Sequence, residues 1–209
     1  MESASEQRST SDHIARIISL LTISPFQIVV YMLFADIICH NFIQEAILNT
    51  ISGTFFLLIP LFPLWYLGRR NRIKNYSIKR EDRGILFLIL IIGFTGVSII
   101  YYVYPQFTGL DTGILFIFAV GYTLLNVISL IITNGLKFKV SLHMTGAASS
   151  ITALVIVIGW LWGFLYLFCL LIAWARVKLH AHTRQEVIIG AVLGIMTIFF
   201  TYLGFGHFF

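Results

Sequence analysis

Charged residues are scarce in this chain. Only 11% of its 209 residues are Asp, Glu, Lys or Arg, whereas a water-soluble domain of this size carries about a quarter. Hydrophobic residues make up 58% of the sequence. The deficit of charge excludes an ordinary soluble domain and indicates that most of the protein surface faces lipid.

Cysteine and clustered carboxylates are also lacking. The two cysteines, Cys39 and Cys169, lie far apart in separate apolar runs, which excludes a disulfide framework and a cysteine-based metal site. The sequence offers neither a carboxylate cluster suited to Mg²⁺ nor a closed His/Cys set. We therefore expect no metal and no cofactor.

Long apolar runs define the organisation of the chain. Residues 1–16 are polar, do not match a signal peptide, and are expected to form a short, partly ordered tail before a single transmembrane domain, 17–209. Each apolar run is long enough to cross about 30 Å of hydrocarbon as a helix. The runs are 17–39, 47–68, 85–104, 113–135, 143–175 and 185–205.

The run 143–175 is too long for one span, and its centre, 159–163, has the Gly and Trp content of an interfacial turn. We expect it to divide into two short helices. The sequence therefore predicts an all-α, polytopic integral membrane helix bundle with about six to seven transmembrane helices.

The cations fall on one side of this bundle. If the spans alternate, all 14 Lys and Arg residues lie on one face, with the N-terminal tail and the loops 69–84, 136–142 and 176–185. The positive-inside bias predicts that this basic face is cytosolic, with the plasma membrane as the expected location. The net charge of +5 indicates anionic lipid headgroups rather than nucleic acid, because no soluble recognition module is present.

Three segments of the basic face carry residues capable of acid, base or nucleophilic chemistry. Each also has a structural interpretation: a solvated charge cluster facing headgroups for the first, an interfacial helix start for the second and a capping box, Thr183 to Glu186, for the third. The candidate residues are Lys79, Arg80 and Arg83 in the first segment, Lys139, Ser141 and His143 in the second, and Arg176, His182 and Glu186 in the third.

The third segment has the most specific spacing. Glu186 follows His182 by four residues, so its carboxylate can accept a hydrogen bond from one imidazole nitrogen and leave the other nucleophilic. This role is compatible with capping. Arg176 lies near the end of a short helix, at headgroup depth, where a guanidinium suits a phosphate or carboxylate. Lys139 would offer a point charge to the same anion.

These residues resemble signatures of the type 2 phosphatidic acid phosphatase superfamily. Its third signature is S-R-x-x-x-x-x-H-x-x-x-D. The same spacing separates Arg176 from His182, by five residues, and His182 from Glu186, by three. Val140-Ser141-Leu142-His143 stands where the family has P-S-G-H. The first signature, K-x-x-x-x-x-x-R-P, is not present as such, although Lys137 and Lys139 lie near the place of its lysine. The resemblance covers roughly the last 100 residues.

The resemblance implies a metal-independent phosphatase that hydrolyses a lipid phosphate or diphosphate, isoprenoid or glycerolipid, through a phosphohistidine. His182 would be the nucleophile, Glu186 would orient it, and His143 would be the general acid and base. Arg176, Lys139 and Ser141 would hold the phosphate, with Lys79, Arg80 or Arg83 replacing the missing arginine.

Four departures from the signatures leave alternatives open. Ala175 replaces the signature serine, Leu142 the glycine and Glu186 the aspartate, and the arginine-proline pair of the first signature is missing. The alternatives are a lipid-phosphate phosphotransferase, which passes the phosphate to an alcohol, and a catalytically inactive lipid-binding or scaffold relative.

Overall fold

A computed structural model of the chain describes residues 2–21, 25–70, 73–74 and 77–206. Nearly all of this part is helical. The α-helices are α1 (Glu2–Leu21), α2 (Pro25–Ile38), α3 (Phe42–Gly53), α4 (Ile59–Arg69), α5 (Arg83–Thr108), α6 (Gly113–Asn134), α7 (Leu142–Val157), α8 (Tyr166–Lys178) and α9 (Arg184–Phe205).

Short segments complete the described chain. A π-helical segment, Thr54–Leu58, joins α3 to α4, and 3-10 turns precede α5 at Arg80–Asp82 and α8 at Trp160–Leu165. Two short strands, β1 (Ile73–Lys74) and β2 (Ser77–Ile78), pair antiparallel.

Among the described residues, five helical segments are long and apolar enough to cross a membrane, so the predicted helical architecture is confirmed and is compatible with an integral membrane protein. They are Phe42–Arg69, Arg80–Thr108, Gly113–Asn134, Trp160–Lys178 and Arg184–Phe205. The apolar parts of α2 and α7 are shorter. The 16 residues of α7 rise about 24 Å, which is less than the hydrocarbon thickness.

The N-terminal region differs from the prediction. The segment expected to be a partly ordered tail forms most of α1, and the expected first span, 17–39, is divided between α1 and α2. Within α1, Ala15 and Ser19 are buried and Ile18 is half-buried, whereas Ile14 and Ile17 are exposed. This i, i+3, i+4 stripe faces the bundle, so a polar sequence still forms an ordered helix.

The expected division of the fifth apolar run is confirmed. Helix α7 ends at Val157, and the 3-10 turn leads into α8. Between them Gly159 has φ 130°, a backbone conformation that residues with a side chain avoid. The exposed Trp160 follows directly, as expected for an aromatic side chain at a membrane interface.

The centre of the bundle is an aromatic cluster with paired hydroxyl groups. The Tyr31 ring stacks on Phe56 with centroids 3.9 Å apart. The Tyr101 hydroxyl lies 2.7 Å from Ser52 Oγ, and the Tyr122 hydroxyl lies 2.7 Å from Ser150 Oγ, which links α6 to α7. These contacts hold the helices together at the centre of the bundle.

Helices α7 and α9 approach closely through glycine. A Cβ atom at Gly190 would lie 3.0 Å from the Ser141 carbonyl oxygen, and one at Gly194 would lie 2.6 Å from the Thr145 carbonyl oxygen. Such distances leave no room for a side chain, so the two backbones touch here. As a result, the start of α7, with His143, lies beside the start of α9, with Glu186.

Candidate functional site

Main-chain and side-chain hydrogen bonds join the three candidate segments at the basic face. Arg83 Nη1 donates to the Val140 carbonyl at 2.6 Å, which connects the first segment to the second. Lys139 Nζ donates to the Ala181 carbonyl at 2.9 Å, which connects the second to the third. Residues separated by about 100 positions therefore lie in one cluster.

His182 and Glu186 are joined through the start of α9. Glu186 Oε2 lies 2.8 Å from His182 Nδ1 and accepts from the Thr183 N–H at 3.1 Å. The Thr183 hydroxyl in turn accepts from the Glu186 N–H at 3.2 Å. The capping box and the histidine contact are both present, so one carboxylate caps the start of α9 and also orients the imidazole.

Arg83 determines which nitrogen of His182 carries the proton. Its Nη2 lies 3.3 Å from His182 Nε2. A guanidinium only donates hydrogen bonds, so Nε2 must accept and is unprotonated. The proton is then on Nδ1, which donates to Glu186. The nitrogen beside Arg83 is thus the unprotonated one, and its lone pair accepts the Arg83 hydrogen bond.

The same surroundings keep His182 neutral. Only 6% of the residue is exposed. Burial, and then the positive charges of Arg83, Arg176 and Lys139, hold the pKa of His182 far below its usual range. A neutral imidazole is the form that acts as a nucleophile.

Arg176 is one of the most buried side chains of the protein, with 1% of the residue exposed. It lies near the end of α8, and its carbonyl accepts from the Ala181 and His182 N–H groups at 3.1 and 3.3 Å. Arg83 is similarly buried, at 2%. Buried guanidinium groups are stable only when anions or strong acceptors compensate their charge.

Lys139 is the third cation of the cluster. It lies in the loop before α7 and is half-buried. Burial first, and then the nearby Arg83, lower the pKa of Lys139 to about 8. Its charge is therefore sensitive to pH in a range where the arginines stay protonated.

Ser141 and His143 belong to the start of α7. Ser141 is the N-cap residue, and its buried Oγ has no hydrogen-bond partner among the described residues. His143 Nε2 lies 3.1 Å from the Ser19 carbonyl oxygen. Because a carbonyl only accepts, His143 carries its proton on Nε2, and its Nδ1 is unprotonated.

Two of the three cations of the first segment do not reach this cluster. Lys79 and Arg80 are exposed, and Arg80 Nη1 donates to the Lys137 carbonyl at 3.0 Å. Of these three cations, only Arg83 contacts the cluster around His182, so a phosphate contact from Lys79 or Arg80 stays a prediction. Arg80 instead helps to hold the loop that carries Lys139.

Two residues that differ from the family signatures, Ala175 and Leu142, pack against other parts of the structure. Ala175 is fully buried where α8 packs in the bundle. Leu142 packs against the cluster of Leu67, Ile78 and Leu86, and the Ile78 carbonyl accepts from Arg83 Nε at 3.3 Å. A leucine at 142 therefore supports the strand pair that places Arg83, which a glycine would not do.

Sequence reasoning missed one residue of the cluster. Ser19, in α1, is buried, and its hydroxyl accepts a hydrogen bond from Arg176 Nη1. It lies in no motif, and the only sequence signal is the spacing of Ala15, Ile18 and Ser19 on one helix face. Within the described residues, no group of three or more His, Cys, Asp or Glu side chains forms a metal site.

Comparison of the chain with protein-family models, curated proteins and solved structures gave no match. The interpretation of the cluster therefore depends on its own geometry.

Proposed function

We propose that this protein is a membrane-embedded phosphatase that hydrolyses a lipid phosphate or diphosphate through a phosphohistidine. One observation carries the proposal: Arg83 Nη2 lies 3.3 Å from the unprotonated Nε2 of the buried His182, and the positive charges of Arg176 and Lys139 also act on this imidazole. A cluster of three cations attracts an anion, and an unprotonated imidazole among them can attack an electrophilic centre within that anion. A phosphate group meets both requirements.

The location of the cluster supports a lipid substrate. We propose seven membrane crossings, formed by the five long segments together with α2 and α7, in the plasma membrane with the basic face cytosolic. The cluster then lies at the depth of the lipid headgroups, since α7 is shorter than the hydrocarbon thickness. A phosphate attached to an isoprenoid or glycerolipid reaches this depth with its tail in the bilayer.

The proposed reaction has two steps. His182 Nε2 attacks phosphorus and the bond from phosphorus to the leaving oxygen breaks, while the unprotonated Nδ1 of His143 takes the proton of the substrate monoanion and passes it to that oxygen. His143 Nδ1 then takes a proton from water, which attacks phosphorus and breaks the phosphorus–nitrogen bond, and it passes this proton to the phosphate. Inorganic phosphate leaves, and both histidines return to their starting forms.

The remaining residues act through charge and hydrogen bonds. Arg83, Arg176 and Lys139 balance the charge that develops on the phosphate oxygens. The Ser141 hydroxyl and the first N–H groups of α7 provide donors of the kind that bind phosphate at helix starts. Glu186 stabilises the positive charge that His182 gains on attack. The resemblance to the type 2 phosphatidic acid phosphatase superfamily supports the same assignment.

Phosphate release from a panel of lipid phosphates, with detergent-purified protein and chelator present, tests the proposal. We expect release by the wild type and its loss in His182→Ala and His143→Ala. His180→Asn is the matched control, because His180 is exposed, lies two residues from His182 and has φ 51°, which Asn tolerates.

Three other results of this assay would contradict the proposal or favour an alternative. Release that requires an added metal ion, or that survives in His182→Ala, would contradict the phosphohistidine route. Transfer of phosphate to an added alcohol without release would indicate the phosphotransferase. Absence of both activities with every lipid would favour the inactive relative.

A further inference from the structure

Helix α1 is attached to the candidate site by polar contacts from its inner face. Asp12 Oδ1 lies 3.6 Å from Lys178 Nζ at the end of α8. One and two turns further on, Ala15 and Ser19 are buried, with 0% and 2% of each residue exposed. Ser19 follows Asp12 by two helical turns, so both residues lie on the same side of α1. That side faces the candidate site.

The main chain of Ser19 contacts His143. Its carbonyl oxygen accepts from His143 Nε2 at 3.1 Å. This hydrogen bond fixes the orientation of the ring and leaves Nδ1 as the nitrogen able to exchange a proton. A carbonyl or carboxylate that holds one imidazole nitrogen sets the function of the other in the same way at many histidine sites.

The side chain of Ser19 contacts Arg176. The hydroxyl oxygen accepts a hydrogen bond from Arg176 Nη1, across 157 positions of sequence. Arginine binds phosphate through a planar fork whose direction matters. A buried acceptor on one nitrogen limits the rotation of that fork.

We propose that Ser19 is a positioning residue of this site: its carbonyl holds the proposed acid–base histidine, its hydroxyl holds the phosphate-binding Arg176, and α1 is thereby part of the site. The proposal rests on the proposed phosphatase function. The residue that completes the site thus comes from a helix outside all three candidate segments.

Substitution of Ser19 separates its two contacts. Ser19→Ala removes the hydroxyl and keeps the carbonyl, so phosphate binding weakens while proton transfer continues. We expect KM for the lipid phosphate, and Kd for orthovanadate, to rise roughly tenfold, with kcat changed much less. Ser19→Thr restores a hydroxyl and should restore both constants. Ile17→Ala, at an exposed position of the same helix, should leave both unchanged.

A separate measurement tests the hydrogen bond between His143 and the Ser19 carbonyl. Nitrogen-15 NMR of histidine-labelled protein, with His143→Gln to assign the signal, reports which ring nitrogen carries the proton. We expect the proton on Nε2 of His143. A proton on Nδ1 would overturn the carbonyl part of the proposal.

The outcomes distinguish this inference from the proposed function. If the wild type releases phosphate but Ser19→Ala has wild-type KM and vanadate Kd, Ser19 is not a positioning residue and the phosphatase assignment stands. Equal losses of thermal stability and kcat in Ser19→Ala and Ser19→Thr would indicate a purely structural role. A wild type without phosphate release or vanadate binding would overturn both proposals.

Discussion

Glu186 holds His182 and the start of α9 with the same oxygen atom, so its two roles need separate tests. In the proposed reaction, Glu186→Gln removes the negative charge that stabilises the imidazolium formed when His182 attacks. We expect phosphate release to fall roughly 10²- to 10⁴-fold, as for other histidines deprived of a carboxylate partner. Single-turnover phosphate release measures this change.

Thr183→Ala is the matched control for the capping role. It removes the hydroxyl that accepts from the Glu186 N–H and should cost about 0.5–2 kcal/mol of stability. The carboxylate remains beside His182, so the rate of the chemical step should stay close to wild type. A fall as large as that of Glu186→Gln would mean that capping, not charge, explains the effect.

The lowered pKa of Lys139 predicts that the proposed phosphatase activity declines at alkaline pH. With its pKa lowered to about 8, the side chain is a cation below that pH and neutral above it, so phosphate binding weakens as pH rises. We expect kcat/KM to fall above about pH 8, whereas kcat holds to higher pH because bound phosphate stabilises the cation.

Replacement of this lysine by arginine tests the assignment. Lys139→Arg should move the alkaline fall in kcat/KM well beyond pH 8, since a guanidinium stays protonated. Lys137→Arg, at an exposed position two residues earlier, should leave the profile unchanged. An identical profile in all three proteins would assign the limit to another group.

At the scale of elements, the contact between α7 and α9 depends on glycine. At Gly194 a Cβ atom would lie 2.6 Å from the Thr145 carbonyl oxygen and 3.1 Å from the Ser149 nitrogen, both main-chain atoms. We expect Gly194→Ala to force the helices apart, to cost about 1–3 kcal/mol and to lower activity, because the two helices carry His143 and Glu186. Thermal unfolding in detergent measures the loss.

Gly204→Ala is the matched control within α9. A Cβ atom at Gly204 would meet nothing within 4 Å, and alanine favours helix more than glycine does. This variant should therefore be as stable as the wild type or slightly more so. Equal loss of stability in both variants would contradict the proposed close approach.

The sequence was informative where a signal was local. Apolar length predicted the long spans, Gly159 the division between α7 and α8, and the spacing of Thr183 and Glu186 the capping box. Selection of Arg83 over Lys79 and Arg80 depends on the packing of Leu142 beside Ile78 and on the Val140 carbonyl that accepts from Arg83, both remote in sequence. Helix α1 was missed because its polar composition is typical of a tail, and its inward stripe has meaning only once α8 lies against it.

At the scale of the whole molecule, the faces of the bundle predict an orientation. Lys79 and His40 are both exposed and lie on opposite faces. In a background without Cys39 and Cys169, we expect His40→Cys to react with an impermeant maleimide on intact cells. Lys79→Cys should react only after permeabilisation. The reverse pattern would invert the orientation and leave the chemistry of the site unchanged.

The burial of Arg83 and Arg176 also has a consequence for release of the product in the proposed reaction. Under the proposed function, inorganic phosphate carries the same anionic oxygens as the lipid headgroup, so the cations that bind the substrate also bind the product. We therefore expect free phosphate to inhibit the reaction by competition with the lipid. Activity would then be high where phosphate is scarce on that side of the membrane and low where it is abundant.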